Sequence, residues 1–575
     1  MEEEEKEFTI EERLIYNNNK LVADKIRKTL LNIRNVPGLS SKRWIWELIQ
    51  NAKDARNNFG KVEIKIELNE DSLIFLHNAS YFTIDNVLGI LQQVSSKDSK
   101  NTDDQTGKFG TGFIGTHLLS SKVNIKGVVF YKNSYKRFKI FLDRTADSSE
   151  VLLKEVHNSI IKFLDNMNNN DSEYEPIKIY EQKQTDFDTS FEYLFDNDSQ
   201  NSLKIAQEGL DDLINTAPAT LSNQYKKISS ITIIDNIKKK ITKSSNTYEK
   251  LEDDDDKGAE IGLNKVLITE DDIEKKDELT INEKYLYSYK TKECRLLYQV
   301  EKKNETFEVV EKLEEQPIIY RDFPLIGSHK FHFPFFIDGF QFNPLETRNG
   351  LYLNGEVNKE ATDNRFIIEK AIQNAINFTD WLLEQNINKR YLLAKTNIPE
   401  PPQRYDNIAI NWFIGQQKIW RKNLLEKKLL KNKYGSYVVL KKLKMPIFKG
   451  KFNKRFFDLL SELNITEGII PIKEEAKLWF DILENDPLKE VYDINENTWD
   501  FNYSFTEKNL VIKINDFGSL KNLESKMSTD SKTILDWLNK LYDFLMNNNC
   551  KNYLFQYNLI PNKKGQFKKI NFGNI

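Results

Sequence analysis

Three polar side chains stand at helical spacing in the run ELIQNAKDA, residues 47–55: Glu47, Asn51 and Asp54. At about 3.6 residues per turn they share one face of a helix. Ile45, Leu48 and Ala52 fall on the adjacent face, which suits packing on a sheet. One helix would then both dock into a core and present two carboxylates and an amide to a cleft. Glu47 has the chemistry of a general base that polarises water. Asn51 offers a neutral carbonyl oxygen of the kind Mg²⁺ accepts beside its waters. The same face also fits an ordinary solvated amphipathic helix. Further on, TGKFGTGFIG (106–115) supplies Gly107, Gly110, Gly112 and Gly115, and the following THLLSS reads as a helix. A glycine-rich loop feeding a helix start aims backbone N–H groups at an anion. A glycine-rich surface turn is the plain alternative. Gly110, Gly112 and Gly115 spell GxGxxG, but the polar run before them is not the strand that a dinucleotide fingerprint requires. The chain has no GxxxxGK[ST], which excludes a P-loop.

The elements that must position these residues follow from pattern. Leu21, Ile26, Leu30 and Leu31 keep helical spacing ahead of PGLS (37–40), and Ser40 or Ser41 is an N-cap candidate for the helix over about 42–57. VEIKIEL (62–68) and SLIFLHN (72–78) alternate as strands joined by a polar turn. A helix near 84–93, strands near 122–130 and 137–142, and helical and polar material to about 180 come next. A strand entry at 185–195 and SSITIID (229–235) continue the alternation. The run 238–260 is highly charged and poor in apolar residues, and reads as a surface loop or insertion. Strands resume over 284–310, a helix is expected at about 366–386, and PEPP (399–402) marks a boundary.

Composition narrows the class. The chain has 575 residues, 84 Lys+Arg against 87 Asp+Glu, five His and two Cys. Cys294 and Cys550 cannot build a disulfide framework or a Cys-based zinc site. The scattered His77, His117, His157, His329 and His332 leave little for a histidine metal centre. A net charge of −3 excludes a uniformly basic nucleic-acid binder. The acidic start MEEEEKEFTIEE is not the n-region of a signal peptide, and no apolar run is long enough to span a bilayer. The expectation is a cytoplasmic, multidomain protein without a membrane.

ELIQNAKDA followed by GKFGTGF resembles the GHKL, or Bergerat-fold, ATPases, which include gyrase-type topoisomerases, heat-shock chaperones and sensor histidine kinases. The closer resemblance is to the sacsin-like, heat-shock-chaperone-type branch, through LHNASYFT (76–83), SSK (95–97) and GKFGTGF (107–113). The resemblance implies a water-activating Glu47, an Asn51 that holds Mg²⁺, and Asp54 beside them. It implies that Gly107, Gly110 and Gly112 lie beside the phosphates, with Phe109 and Thr111 in the same nucleotide-binding motif, Thr111 replacing a commoner aliphatic residue, and Lys97 and Lys108 as candidate phosphate contacts. It puts a mobile lid at about 92–112. DTSFEY (188–193) resembles a later motif beside the adenine, which carries Thr189 over. Asn78 stands where the family has the adenine-binding Asp, and Asn78-Ala79-Ser80 replaces its glycines. PLIG (324–327), FPFFIDGFQFNP (333–344) and ETRNGL (346–351) look like the family's transducer domain, which sends a basic residue to the γ-phosphate; Arg348 is the candidate.

The implied fold class is α+β: an N-terminal Bergerat two-layer α/β sandwich (1–215), a transducer-like α/β middle domain (216–395) and a C-terminal mixed α/β region (396–575). Between Lys418 and Arg455 lie 14 Lys/Arg and one acid, Glu426, interleaved with Trp420, Tyr434, Tyr437, Phe448 and Phe452. That block suits nucleic acid, an acidic partner surface or plain solvent exposure. The ending, IPNKKGQFKKINFGNI, resembles a segment that continues in sacsin-like proteins, so a shortened relative is expected. The expected function is Mg²⁺-dependent binding and slow hydrolysis of ATP, with lid closure and a nucleotide-dependent homodimer as a switch acting on a protein effector or client. Microbial antiviral defence and chaperone-like remodelling are the settings the resemblance suggests. The alternative is a nucleotide-gated scaffold with little hydrolysis that contacts nucleic acid through 418–455. A histidine kinase is disfavoured because no His precedes Glu47, and a topoisomerase because no cleavage domain is recognisable.

Overall fold

A computed structural model describes residues 9–35, 41–55, 59–92, 112–168, 186–195, 199–275, 279–311, 315–331, 333–345, 347–385, 387–394, 405–466, 468–484, 499 and 501–570. It is a mixed α/β structure built around one large sheet. The first strands are β1 (Val62–Leu68), β2 (Ser72–His77), β3 (Lys122–Tyr131), β4 (Ser134–Asp143) and β5 (Thr189–Leu194). They continue with β6 (Ile228–Asp235), β7 (Lys240–Asp254), β8 (Ala259–Asp272), β9 (Thr280–Lys290), β10 (Cys294–Lys303) and β11 (Thr306–Val309). The last three are β12 (Ile319–Arg321), β13 (Phe323–Pro324) and β14 (Phe336–Gly339). Their order is β13-β12-β14-β10-β9-β8-β7-β6-β1-β2-β5-β3-β4, with β11 beside β10. Pairing is antiparallel except between β1 and β6 and between β12 and β14.

The alternation in β1 explains its layer. Val62, Ile64, Ile66 and Leu68 are buried, whereas Glu63, Lys65 and Glu67 stay half-buried and Lys65 pairs with Glu67 at 2.6 Å. Helices α1 (Ile10–Asn35), α2 (Arg43–Asp54), α3 (Ile84–Gln92), α4 (Gly112–Gly115), α5 (Ser149–Asn168) and α6 (Ser199–Asn223) accompany this half of the sheet. Trp44, Ile45, Leu48 and Ile49 of α2 share one apolar core with Ile64, Phe75, Leu210 and Leu213. One face is covered and the other is charged, as antiparallel sheets allow.

Three expectations change here. The charged run 238–260 is no loop: β7 and β8 pair from Lys240↔Asp272 to Asp254↔Ala259, with one register shift between Lys250 and Glu252, and the acidic cluster with Gly258 forms the hairpin end. Its Thr, Ser and Tyr residues favour a pleated surface, and a strand with one wet face needs few apolar side chains. The break expected at 215/216 falls inside the unbroken helix α6, and β6 lies against β1. Ser41 does not cap α2: its hydroxyl donates to Glu208, and the N-cap position is Lys42, which makes no side-chain cap bond. Ser40 lies outside the described residues.

Beyond the sheet, α7 (Lys359–Glu384), α8 (Asn407–Leu425), α9 (Lys454–Glu462) and α10 (Lys473–Glu484) lead into further helices that end near Gln556. Phe333 and Phe335 pack on Trp420, and Phe331 on Phe413, so the middle part and the C-terminal region share one apolar core. That core also takes the aromatics of the basic block. Phe413, Trp420 and Phe448 are buried, Trp412 donates to Glu369 at 2.6 Å, and Tyr437 lies under Arg390. Tyr434, 60 % exposed, is the aromatic of the block left open to solvent. Among the cations, Arg421 is buried over Trp499, Lys427 pairs with Asp380 and Lys441 with Glu426. No helix among the described residues is long and apolar enough to cross a membrane.

Candidate functional site

The helix that carries Glu47 is buried nearly all round. Trp44 and Trp46 anchor it to α6 through N–H bonds to the Ile205 carbonyl at 3.2 Å and to Asp212 at 3.1 Å. Glu47 itself is only 4 % exposed, which rules out the plain solvated helix. A buried carboxylate needs partners, and two arginines provide them. Arg43, one turn earlier, brings Nε to 3.0 Å from Glu47 Oε1, and Arg348 brings Nε to 3.9 Å from the same oxygen. Arg348 also donates from Nη1 to Gln50 Oε1 at 2.9 Å. Burial lowers the Arg348 guanidinium from its ordinary value, against the opposing pull of Glu47. Between Arg43, Glu47, Phe323, Thr347 and Arg348 a crevice of about 10 Å³ remains, near the minimum for one water.

The other oxygen of Glu47 faces the end of the glycine segment. A Cβ on Gly112 would collide with Glu47 Oε2, so the carboxylate in this position fills space that a side chain at 112 would take. At Gly115 the added carbon would lie 3.8 Å from Glu47 Cγ, an ordinary contact. From Gly112 the site continues along α4: Phe113 packs on Phe191 of β5, and Phe191 on His77 of β2. His77 and Thr189 are register partners, and Thr189 is buried. The Ser80 N–H donates to the Ala55 carbonyl at 2.7 Å, which ties the end of α2 to the exit of β2. Glu47, Gly112 and Arg348 are thus brought together, while Asn51 and Asp54 lie further along α2 and Thr189 stands on β5 opposite His77. Asn51 is half-buried there. Lys97, Gly107, Lys108, Phe109, Gly110 and Thr111, with most of the expected lid, lie outside the described residues.

Asn78 departs from its expected role. It is 0 % exposed, and its Oδ1 accepts the Glu63 N–H at 2.7 Å. The amide that was to face a base therefore closes the β1–β2 pair. Its neighbour His77 is also internal. Nδ1 accepts the Ala79 N–H at 3.2 Å, and burial lowers its pKa to about 3. The unfolded chain takes up this proton near 6.5 while the folded one resists to about 3, so stability falls as pH drops through that window, by at most about 1.4 kcal/mol per pH unit from this residue. His77→Asn retains an acceptor for Ala79 but cannot charge. Urea midpoints at pH 7 and pH 5 are expected to differ less in this variant than in the parent chain.

Pattern reading missed Lys53. It is 1 % exposed, with Nζ 3.3 Å from Asp54 and 3.4 Å from Asp322 and the Phe323 ring beneath. Burial opposes the Asp322 charge, but Lys53, Arg321 and Lys227 outweigh it and hold that carboxyl below its ordinary range. Asp322 in turn donates its N–H to Asp338 at 3.0 Å, a carboxyl pushed up to about 6 by burial and by Asp322. The signal was available: Trp46, Ile49 and Lys53 follow an i, i+3, i+7 stripe, and a lysine on an apolar stripe calls for a buried counter-ion. Gln50 and Arg43 were missed as well.

No group of three or more His, Cys, Asp or Glu side chains able to hold a metal occurs among the described residues. A site made of Asn51, phosphate oxygens and water suits Mg²⁺ without such a cluster. No protein-family model matches this chain, and no curated protein matches it.

Proposed function

We propose that the chain binds ATP with Mg²⁺ beside the end of α2 and hydrolyses it slowly. The observation that carries this reading is the meeting of Glu47 and Arg348, a base and a cation 301 positions apart, next to a glycine whose missing Cβ leaves room for the carboxylate. In this reading Glu47 accepts a proton from water as the water oxygen bonds to the terminal phosphorus. The bond from that phosphorus to the bridging oxygen breaks, and ADP carries away the negative charge. Arg348 stabilises the charge that develops on the transferring group. Asn51 would contribute a neutral oxygen to Mg²⁺, and Asp54 would accept hydrogen bonds from its waters. When bound, Mg²⁺ neutralises phosphate charge. Thr189 borders the base end. Asn78 supports that wall from within, so base selectivity would fall to other groups.

The output of such a site is a change of shape. Nucleotide would close the lid expected at about 92–112 and promote a homodimer that acts on an effector or client. Light scattering on the full chain, with and without a non-hydrolysable ATP analogue and Mg²⁺, tests this. Doubling of mass with the analogue is expected; binding without a mass change would remove the dimer from the reading. The glycine geometry gives a second check. Gly112→Ala is expected to displace Glu47 and cut phosphate release by at least about 10-fold, whereas Gly115→Ala retains most of it. Equal activities would argue against the contact between Gly112 and Glu47.

A further inference from the structure

Gln50 is 3 % exposed and lies one turn beyond Glu47 on α2, so the two side chains project from the same side of the helix. Arg348 reaches them from the turn between Leu345 and Gly350, whose N–H and carbonyl groups close it at 2.9 Å. Arg348 holds φ +52°, a left-handed backbone that ordinary residues avoid. Its N–H donates to Leu345 O at 2.8 Å, and its Nη1 donates to Gln50. The distances are unequal in an informative way. A guanidinium that met Glu47 alone would close to about 2.7–2.9 Å, often in a bidentate pair. Here the short bond, 2.9 Å, goes to the neutral amide of Gln50, and the carboxylate contact stays at 3.9 Å.

We propose that Gln50 is a positioning residue that holds Arg348 beside Glu47 without letting the two neutralise each other. This rests on the ATPase reading. An amide oxygen directs one N–H of the guanidinium and carries no charge to compete with a phosphoryl group for the rest. Arg43, at 3.0 Å, is the closer cation to Glu47, and Gln50 keeps Arg348 from adding a second close pair to the same oxygen.

A double-mutant cycle on the full chain tests the role by two readouts. The set is the parent, Gln50→Ala, Arg348→Ala and the double variant. Without nucleotide, the Tm loss of the double variant is expected to be smaller than the sum of the single losses, which reports the contact. With ATP, Gln50→Ala is expected to lower kcat by at least about 10-fold with little change in KM, and to have no further effect once Arg348 is alanine. Gln50→Glu offers Arg348 a second carboxylate and is expected to lower kcat without rescuing it. Additive losses in both Tm and kcat, with normal turnover by the parent, would overturn this role alone. A parent chain without turnover would instead overturn the ATPase reading, and the Tm cycle would still decide whether Gln50 holds Arg348.

Discussion

Glu47→Ala is expected to lower ATP turnover by about 10²–10⁴-fold, the usual contribution of a general base, while nucleotide binding persists. Binding and chemistry separate in this reading because Asn51, one turn further along α2, and Thr189 on β5 are unaltered by the substitution, and shortening Glu47 leaves the backbone at Gly112 in place. The substitution removes one partner of Arg43 and the nearby charge facing Arg348, but Arg348 retains Gln50. Loss of stability should therefore be modest, and a phosphate-release assay beside a fluorescent-nucleotide titration can read the two effects apart. Turnover at the parent rate would remove Glu47 from the mechanism. Loss of binding together with turnover would assign it to holding the site instead.

The second large effect concerns folding and does not depend on any reading of function. Lys53→Ala strips a buried cation from between Asp54 and Asp322. Breaking a buried pair by removing one partner costs about 3–5 kcal/mol. Asp322 retains Arg321 and accepts from Gln224 at 3.4 Å, which places the expected loss near about 3 kcal/mol. Lys53→Met keeps an apolar chain in place of the stem but loses the ammonium that lies over Phe323, and should recover only the packing share. Chemical denaturation of both variants measures this. A loss below about 1 kcal/mol, the range of exposed pairs, would contradict the buried network.

Local chemistry was legible where pattern is local. The 47, 51, 54 spacing gave the polar face of α2, the alternation of 62–68 and 72–77 gave β1 and β2, and glycines marked the segment whose end meets Glu47. Strand β7 was illegible because its strand character lies in Thr, Ser and Tyr on a half-wet surface rather than in an apolar run, and its apolar partner β8 begins only at the end of the charged run. The fit of Trp412, Phe413 and Trp420 into the core was hidden by the lysines around them. Arg348 could be singled out by resemblance, but its bond to Gln50 spans 298 positions and leaves no local trace. Lys53 and Asn78 show a third limit. A polar side chain reads as facing a cleft or solvent until its buried partner, Asp322 or the Glu63 N–H, is known.

The central claim is nucleotide binding at the end of α2, and calorimetric titration of the full chain with a non-hydrolysable ATP analogue and Mg²⁺ tests it most directly. The account predicts saturable binding at one site per chain, weakened by Asn51→Ala and by omission of Mg²⁺. Absence of binding by the parent chain at millimolar analogue, or binding indifferent to both Asn51→Ala and Mg²⁺, would contradict it.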